Sequence, residues 1–539
     1  MKGVFLALFG TATCLAQAPP SDRVQLQPLQ EVRIPFRTGI DGQTNLSLEE
    51  AIRRVLENDP DLQIARIQRE EAGYNVTAAL GYFDPVMAMQ AYRSRAVTPI
   101  ASLIGGSSNG KLSQTELAAA PAINGYSPWF GGTYGLTFNN SRQENDSTFA
   151  TLNPQYPTSV TLNLNQPLWR SLRIDEPRYR LQVARKNLQL TSEQLRQRVI
   201  EIVTLAVQSY WELDYALQNL EVQTEAVRLA EQQYDSNRRQ AEQGLLAPID
   251  VVAAQTQVAT FQQNLLAAQR ALTAAENNLK AMILANRADA LWSKALIPET
   301  QLNPDAVTPS LEDAIRGALQ SRPELSENML SQEITNLQLR LNQEAAKPRV
   351  DAFATLTSTG LAGAPKALTG FPGFSFGTGT LPPVLVGSYG QSLANITSGN
   401  FTTARIGVQV SLPLRNRTAE ANVAVSLAEK RRLDTARNQI GMAIEADVRN
   451  ALEGVNTARA RYEAALLASR SAEQQYSSEQ RQFQAGTSTV FLVFQRQTDF
   501  ISARSREVRA RADLAEAFAT LERATARTLE AHQISMANP

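Results

Sequence analysis

One cysteine and one histidine are all that the 539 residues contain of either. Cys14 cannot build a disulfide framework, and a Cys/His zinc site needs three or four ligands. His532 lies seven residues from the chain end, which leaves histidine-dependent catalysis without support. Charge of one sign is also missing: 52 Lys+Arg face 52 Asp+Glu, so there is no net charge to bind nucleic acid or an anionic membrane surface. Beyond the extreme N-terminus no run reaches the ~20 apolar residues of a helical membrane span. No carboxylate pair stands apart from a solvated helix face, and the glycine clusters lack P-loop or dinucleotide spacing. The reading is therefore no enzyme, no metal and no cofactor.

What is present begins with an address. Lys2, an apolar run from Val4 to Leu15 and small residues after it have the layout of a secretory signal peptide over 1–18, cleaved near 16–18. Cys14 is alternatively a lipidation site, although Thr11-Ala12-Thr13 before it is a poor lipobox. With the signal removed the chain has no cysteine, so packing or assembly must stabilise it.

The remainder says nearly the same thing twice. Leu48–Leu62 (LEEAIRRVLENDPDL) matches Leu311–Leu325 (LEDAIRGALQSRPEL) at eight of fifteen positions. Further on, Glu231–Tyr234 recurs as Glu473–Tyr476, Gly244 as Gly486 and Gln255-Thr256 as Gln497-Thr498. After a linker at 19–46, two repeats follow at 47–300 and 310–530, joined by a linker at 301–309, with a tail at 531–539. So long a period means one pseudo-symmetric body rather than a short-repeat solenoid.

Each repeat reads as helix, strands, very long helix, turn, helix. Ser47-Leu-Glu-Glu50 and Ser310-Leu-Glu-Asp313 are capping-box starts for helices of about 47–81 and 310–346. Helical hairpins are expected over about 175–286 and 418–530. Their first arms, about 175–243 and 418–485, would each be on the order of 100 Å long at ~1.5 Å per residue. Such helices need partners along their whole length. Ala206, Leu213, Leu220, Val227, Tyr234 and Ala241 are spaced by seven, as are Val251, Val258, Leu265, Leu272 and Leu279. Their second-repeat counterparts run from Val448 to Phe483 and from Val493 to Leu521. Seven-residue apolar repeats on both arms make a knobs-into-holes seam.

Between the helices, over about 85–168 and 348–413, the period changes to two. Tyr134/Leu136/Phe138, Val160/Leu162/Leu164, Val350/Ala352/Ala354/Leu356 and Ile406/Val408/Val410/Leu412 alternate with polar residues. That pattern fits barrel strands with lipid outside and water inside, or a half-buried soluble sheet. Segments 96–128 and 360–401 read as long loops. A further strand-like segment, Pro85–Arg95, leaves the first repeat ambiguous; two strands per repeat is the expectation.

The hairpin turns are Gln243-Gly244-Leu245-Leu246-Ala247-Pro248 and Ala485-Gly486-Thr487-Ser488-Thr489. Glycine closes a helix in the left-handed conformation, and proline suits the first turn of the next. Leu245 and Leu246 are expected to be an exposed apolar tip.

The signal peptide, the duplication, "Leu-Ser-Leu-Glu-Glu-Ala-Ile", "Gly-Tyr-Phe-Asp-Pro85", "Leu-Asn-Gln-Pro167-Leu-Trp", "Val-Ser-Leu-Pro413-Leu" and the glycine-tipped hairpins together resemble the outer-membrane efflux protein family, the TolC type. The resemblance covers about 45–530. It implies a mainly α protein with membrane β structure: a homotrimer whose chains each give four strands to one 12-stranded β-barrel, continuous with a periplasmic α-helical barrel. It implies an outer-membrane exit duct of a tripartite efflux pump or type I secretion system. The implied partners are two other copies, outer-membrane lipid, a periplasmic adaptor (membrane fusion) protein and an inner-membrane transporter, with no nucleic acid. The implied adaptor-docking residues are Gly244, Leu245, Leu246, Ala247, Gly486, Thr487 and Ser488. The family narrows its tunnel near the tips, which points here to Asp250, Phe483, Leu492 and Gln495. Asp250 keeps the family's acidic pattern, whereas Leu492, Gln495 and Phe483 depart from it. A constriction held more by apolar packing than by ionic links is then expected. The alternative is a periplasmic or surface coiled-coil protein without a channel, for which the heptads suffice but the alternating strands are superfluous.

Overall fold

A computed structural model describes residues 37–101, 110–366 and 381–535. The signal peptide and Cys14 lie outside the described residues. The described chain forms two compact units, each gathering segments of both repeats.

The first unit comprises the N-terminal arm to Asp59, Ile202–Leu311 and Arg449–Ile534. In it α3 (Glu176–Glu242) runs to its C-terminus and turns into α4 (Pro248–Ile283), and α8 (Arg417–Gln484) turns into α9 (Val490–Ala524). The heptad reading holds. Val251, Val258, Leu265, Leu272 and Leu279 are all buried, as are Leu213, Val227, Tyr234, Val448, Val455, Val493 and Leu514. One apolar cluster joins α3, α4 and α9 through Val222, Tyr234, Phe261, Leu265, Ile501 and Val508. Tyr476 of α8 stacks on Phe500 of α9 with centroids 6.0 Å apart.

Away from the turns this unit is tied by the parallel pair β1 (Gln43–Leu46) and β6 (Ala295–Pro298) beside α1 (Leu48–Asn58). The buried Tyr210 hydroxyl donates to Leu46 O at 3.0 Å and accepts from the amides of Glu299 and Thr300. Ser47 caps α1 as its sequence predicts, its Oγ accepting from Glu50 N at 3.2 Å. Buried Lys280 is neutralised by Glu276 at 2.5 Å, which also holds Arg37.

The second unit comprises Pro60–Glu201 and Glu312–Val448. Each opening helix, expected as one piece, is two. α1 gives way to α2 (Pro60–Leu80), and α5 (Leu311–Ser321) to α6 (Pro323–Ala345). Proline lacks the amide the helix ladder needs and pushes its predecessor to extended backbone. Asp59 (ψ 125°) and Arg322 (ψ 127°) are so placed. Arg322 then bridges Glu324 at 2.6 Å and Asp447 of α8 at 2.7 Å.

The sheet corrects the strand count. It has six antiparallel strands rather than four: β2 (Val86–Pro99), β3 (Lys111–Tyr126), β4 (Thr133–Asn145), β5 (Leu152–Pro167), β7 (Arg349–Pro365) and β8 (Thr402–Ser411), in that order. The premise of a 12-stranded barrel, four strands per chain, therefore fails. The first repeat supplies four strands and the second two. Most of the expected loop 96–128 is β3 and the end of β2. Of the expected loop 360–401, β7 takes the start and α7 (Tyr389–Thr397) part of the rest. β2 follows α2 as β7 follows α6, and β5 leads into α3 as β8 leads into α8. The added pair is thus β3–β4.

Candidate functional site

The register shows what the sheet presents. Met87, Ile123, Leu136, Leu162, Leu356 and Ala404 form one cross-strand row. Pleating puts alternate residues on opposite faces, so the four alternating segments all place their apolar residues on this one face. Away from the patch under α7 (Tyr389–Thr397) that face is uncovered: Met87 is 72% exposed, Ile406 84% and Val410 64%. The other face carries the row Asn124, Gly135, Asn163, Thr355 and Arg405. A soluble monomer does not leave so wide an apolar face to water. Among the described residues each end of the sheet, β2 and β8, also keeps an unpaired edge. No described helix is long and apolar enough to cross a membrane.

The added pair is anchored where the sheet meets the helices. Its turn, Ser127–Gly132, is strapped by Arg178 of α3. That guanidinium donates to Trp129 O at 3.1 Å, Ser171 O at 2.7 Å and Leu172 O at 3.1 Å, and is held by Asp175. Tyr126 donates to the same Asp175 carboxylate. Gly131 has φ +70°, and a Cβ there would meet Asp175 Oδ2 at 2.5 Å. Trp129, Phe130, Tyr82 and Trp169 are exposed around this end. Membrane barrels flank their apolar band with aromatic girdles of this kind.

In the other unit, both hairpin turns have one geometry. Gly244 and Gly486 each have φ +75°. Leu245 N bonds Gln240 O at 2.9 Å and Gly244 N bonds Ala241 O at 3.0 Å; Thr487 N to Gln482 O and Gly486 N to Phe483 O repeat the pair. These are Schellman closures, which need the left-handed glycine. The next helices start differently: Pro248 follows an uncapped Ala247, whereas Thr489 Oγ1 accepts from Leu492 N at 3.4 Å. Ser488 Oγ bonds Glu479.

The apolar tip is not the expected one. Leu245 is 73% exposed, but Leu246 is only partly so; Ile249 and Phe491, which sequence reasoning passed over, are as open as Leu245. Both sit in the first turn of a helix at a hairpin end, where no described residue covers them. Asp250 lies half-buried in the first turn of α4, its amide bonded to Ala247 O. Phe483 is half-buried in the last turn of α8, and Leu492 and Gln495 are exposed on α9. Asp250, Leu492 and Gln495 share no hydrogen bond among the described residues. The nearby polar residues missed in the sequence are Gln233, Asn237 and Gln497, all buried. Gln233 bonds Asn237 at 2.8 Å, but neither amide atom of Gln497 has a partner. An unsatisfied buried polar group costs about 1–3 kcal/mol, so the seam is weakened here. Among the described residues no group of three or more His, Cys, Asp or Glu is placed to hold a metal.

The sequence pattern described as "outer membrane efflux protein" matches residues 124–283 and 314–527. The chain belongs to that family. The protein is thus an outer-membrane efflux channel of TolC type, with a long periplasmic extension. The match begins inside β3, so β2 lies ahead of it and β4, β5, β7 and β8 fall within it. No curated protein sequence matches the chain. Solved structures do, at low identity. The Campylobacter jejuni CmeC outer membrane channel is 15% identical over 91% of this chain and 90% of that one, with a TM-score of 0.62. The outer membrane protein VceC of Vibrio cholerae is 15% identical over 89% and 95%, with a TM-score of 0.59. The open state of the Neisseria gonorrhoeae MtrE channel is 15% identical over 89% of each chain, at 0.57.

Proposed function

We propose that three copies of this efflux channel close into one passive duct that carries small molecules or proteins out through the outer membrane, as the exit of a tripartite pump or type I secretion system. The observation that carries this reading is the uncovered apolar face on a sheet with two open edges. Lipid satisfies the face, but an open edge in lipid leaves backbone groups without partners. The strand number is even and every pair antiparallel, so β8 of one copy can pair with β2 of the next. Three copies of six strands make eighteen, wider than the twelve first expected. The polar face then lines water. An energised inner-membrane transporter and a periplasmic adaptor are the partners that membership of the family suggests for this duct.

In this reading the adaptor covers the tips around Gly244–Ala247 and Gly486–Ser488, through Leu245, Ile249 and Phe491. Asp250, Phe483, Leu492 and Gln495 are the constriction, with three copies of Asp250 forming a ring of one sign that favours cations. The unsatisfied Gln497 supports a seam that can repack to open. Leu245→Asp with Phe491→Asp should abolish export while trimer and membrane insertion persist. Normal export by that variant would show that no adaptor docks through this patch. In planar bilayers Asp250→Asn should weaken cation preference at low salt; an unchanged preference would remove Asp250 from the lumen.

A further inference from the structure

The chain has no net charge, yet its strands sort charge by face. Beyond the apolar rows, at the helix-distal end of the first repeat's strands, Arg93, Leu117 and Arg142 form one row, Arg95, Thr115 and Glu144 the next, and Lys111 lies opposite Pro99. By the register, Arg93, Arg95, Lys111 and Arg142 all lie on the same face as Met87, Met89, Phe138 and Val160. All four cations are exposed. Arg142 pairs with Glu144, and Arg95 reaches only Ser113 Oγ at 3.4 Å. No described carboxylate pairs with Arg93. Glu116, at this height too, is on the opposite face, against Tyr92 and Gln143. Asp146, which accepts from Ser113 N at 2.8 Å, lies on the cations' own face. Four cations against two carboxylates therefore stand on the lipid-facing side. From the Met89 row to the Arg93 row is four residues, about 13 Å along the strand at ~3.3 Å per residue. That is the step from acyl chain to headgroup. β7 and β8 carry no cation on this face, and at this height α7 packs over β5 and β7, Ser392 bonding Thr158 of β5 at 2.7 Å.

We propose that Arg93, Arg95, Lys111 and Arg142 form a binding strip for the phosphates of an anionic glycolipid in the outer leaflet. The inference rests on the membrane barrel described above, which sets the apolar face toward lipid and the helix-distal rim outward. Arginine binds phosphate oxygens through paired N–H donors. A strip with more cations than counterions is stabilised by such a ligand, and the added strands bring two of the four cations, Lys111 and Arg142.

The test uses the full-length protein in neutral detergent with three probes: phosphorylated lipopolysaccharide, the same material dephosphorylated, and phosphatidylglycerol. The variant replaces all four cations with Gln; Glu116→Gln is the control on the opposite face. Each cation near an anionic surface contributes roughly fivefold, with losses from screening. Wild type should prefer the phosphorylated glycolipid by about tenfold or more, and the quadruple variant should lose that preference while Glu116→Gln keeps it. Raised salt should weaken the wild-type binding. Equal binding of the dephosphorylated probe, equal binding of phosphatidylglycerol, or unchanged binding by the quadruple variant would each overturn the proposal. Should the quadruple variant fail to insert, Arg93→Gln against Arg93→Lys decides it: Lys should restore most of the binding and Gln should not. Particle mass, measured in parallel, reports separately on the duct reading.

Discussion

The two repeats share a helical plan and differ in their sheets. Both break at a proline after an eleven-residue helix, both send a helix of nearly equal length, 67 and 68 residues, to a glycine-closed turn, and both return by a helix of 36 or 35 residues. Between the helices the first repeat has four strands and the second two. The difference shows which part of such a chain can change. A heptad seam loses its register if residues are inserted, because every knob beyond the insertion misses its hole. An antiparallel sheet accepts strands in pairs, since an even number returns the chain to the side it left and keeps the edges antiparallel.

If that is right, the added pair depends on its own anchor, and the second repeat does not. The largest effect should come from Asp175→Ala. It leaves Arg178, with only 11% of its side chain exposed, without its carboxylate beside the Ser127–Gly132 turn. Breaking a buried pair costs about 3–5 kcal/mol. Hydrogen exchange should show β3 and β4 losing protection while β7 and β8 keep theirs; equal loss in both would mean the two regions stand or fall together.

Gly360→Val tests the other side. A Cβ at Gly360 would stand 2.0 Å from Ser392 O, so α7 must move off β5 and β7. Overpacking of this kind costs about 1–3 kcal/mol. Limited proteolysis should then cut near Tyr389–Thr397 with β2–β4 unaffected. An unaltered digest would show that α7 is not held by this contact.

The smallest effect distinguishes the paired helices. Glu327 of α6 stands where α2 has Ile64. Burial pushes its carboxyl up to about 7, with Glu324, Glu193 and Glu201 adding to the rise. A carboxyl raised in the folded state costs stability when ionised. The cost is absent below its ordinary value of 4.5 and complete above about 7. Glu327→Gln should therefore melt slightly higher than the parent at pH 8 and at the same temperature at pH 4.5. A gain independent of pH would refute the electrostatic origin.

Much of this was legible in the residues. The arms at 175–243 and 418–485 fall within a residue of α3 and α8, because seven-residue spacing over so long a run has no competing reading. The apolar face was legible from alternation, and the glycine closures from Gly244 and Gly486. The helix breaks at Pro60 and Pro323 were signalled and overridden by the apolar period on either side. β3 was hidden by composition: Ala118-Ala119-Ala120-Pro121 disfavours a strand. The structure accommodates Pro121 by leaving it and Ala120 out of the pairing with β4, while both still pair with β2. The basic strip was invisible in a balanced net charge, because only the register assigns a cation to one face. Ile249 and Phe491 were missed because the exposure of a first-turn residue depends on where the hairpin ends.

The central claim is that three copies, six strands each, share one barrel. Imaging single detergent-solubilised particles by electron cryo-microscopy tests it directly. The account predicts a threefold particle whose membrane section is a closed ring of eighteen strands, with β8 of one copy against β2 of the next. A monomer, or a twelve-stranded ring with two strands of each chain lying outside it, would contradict it.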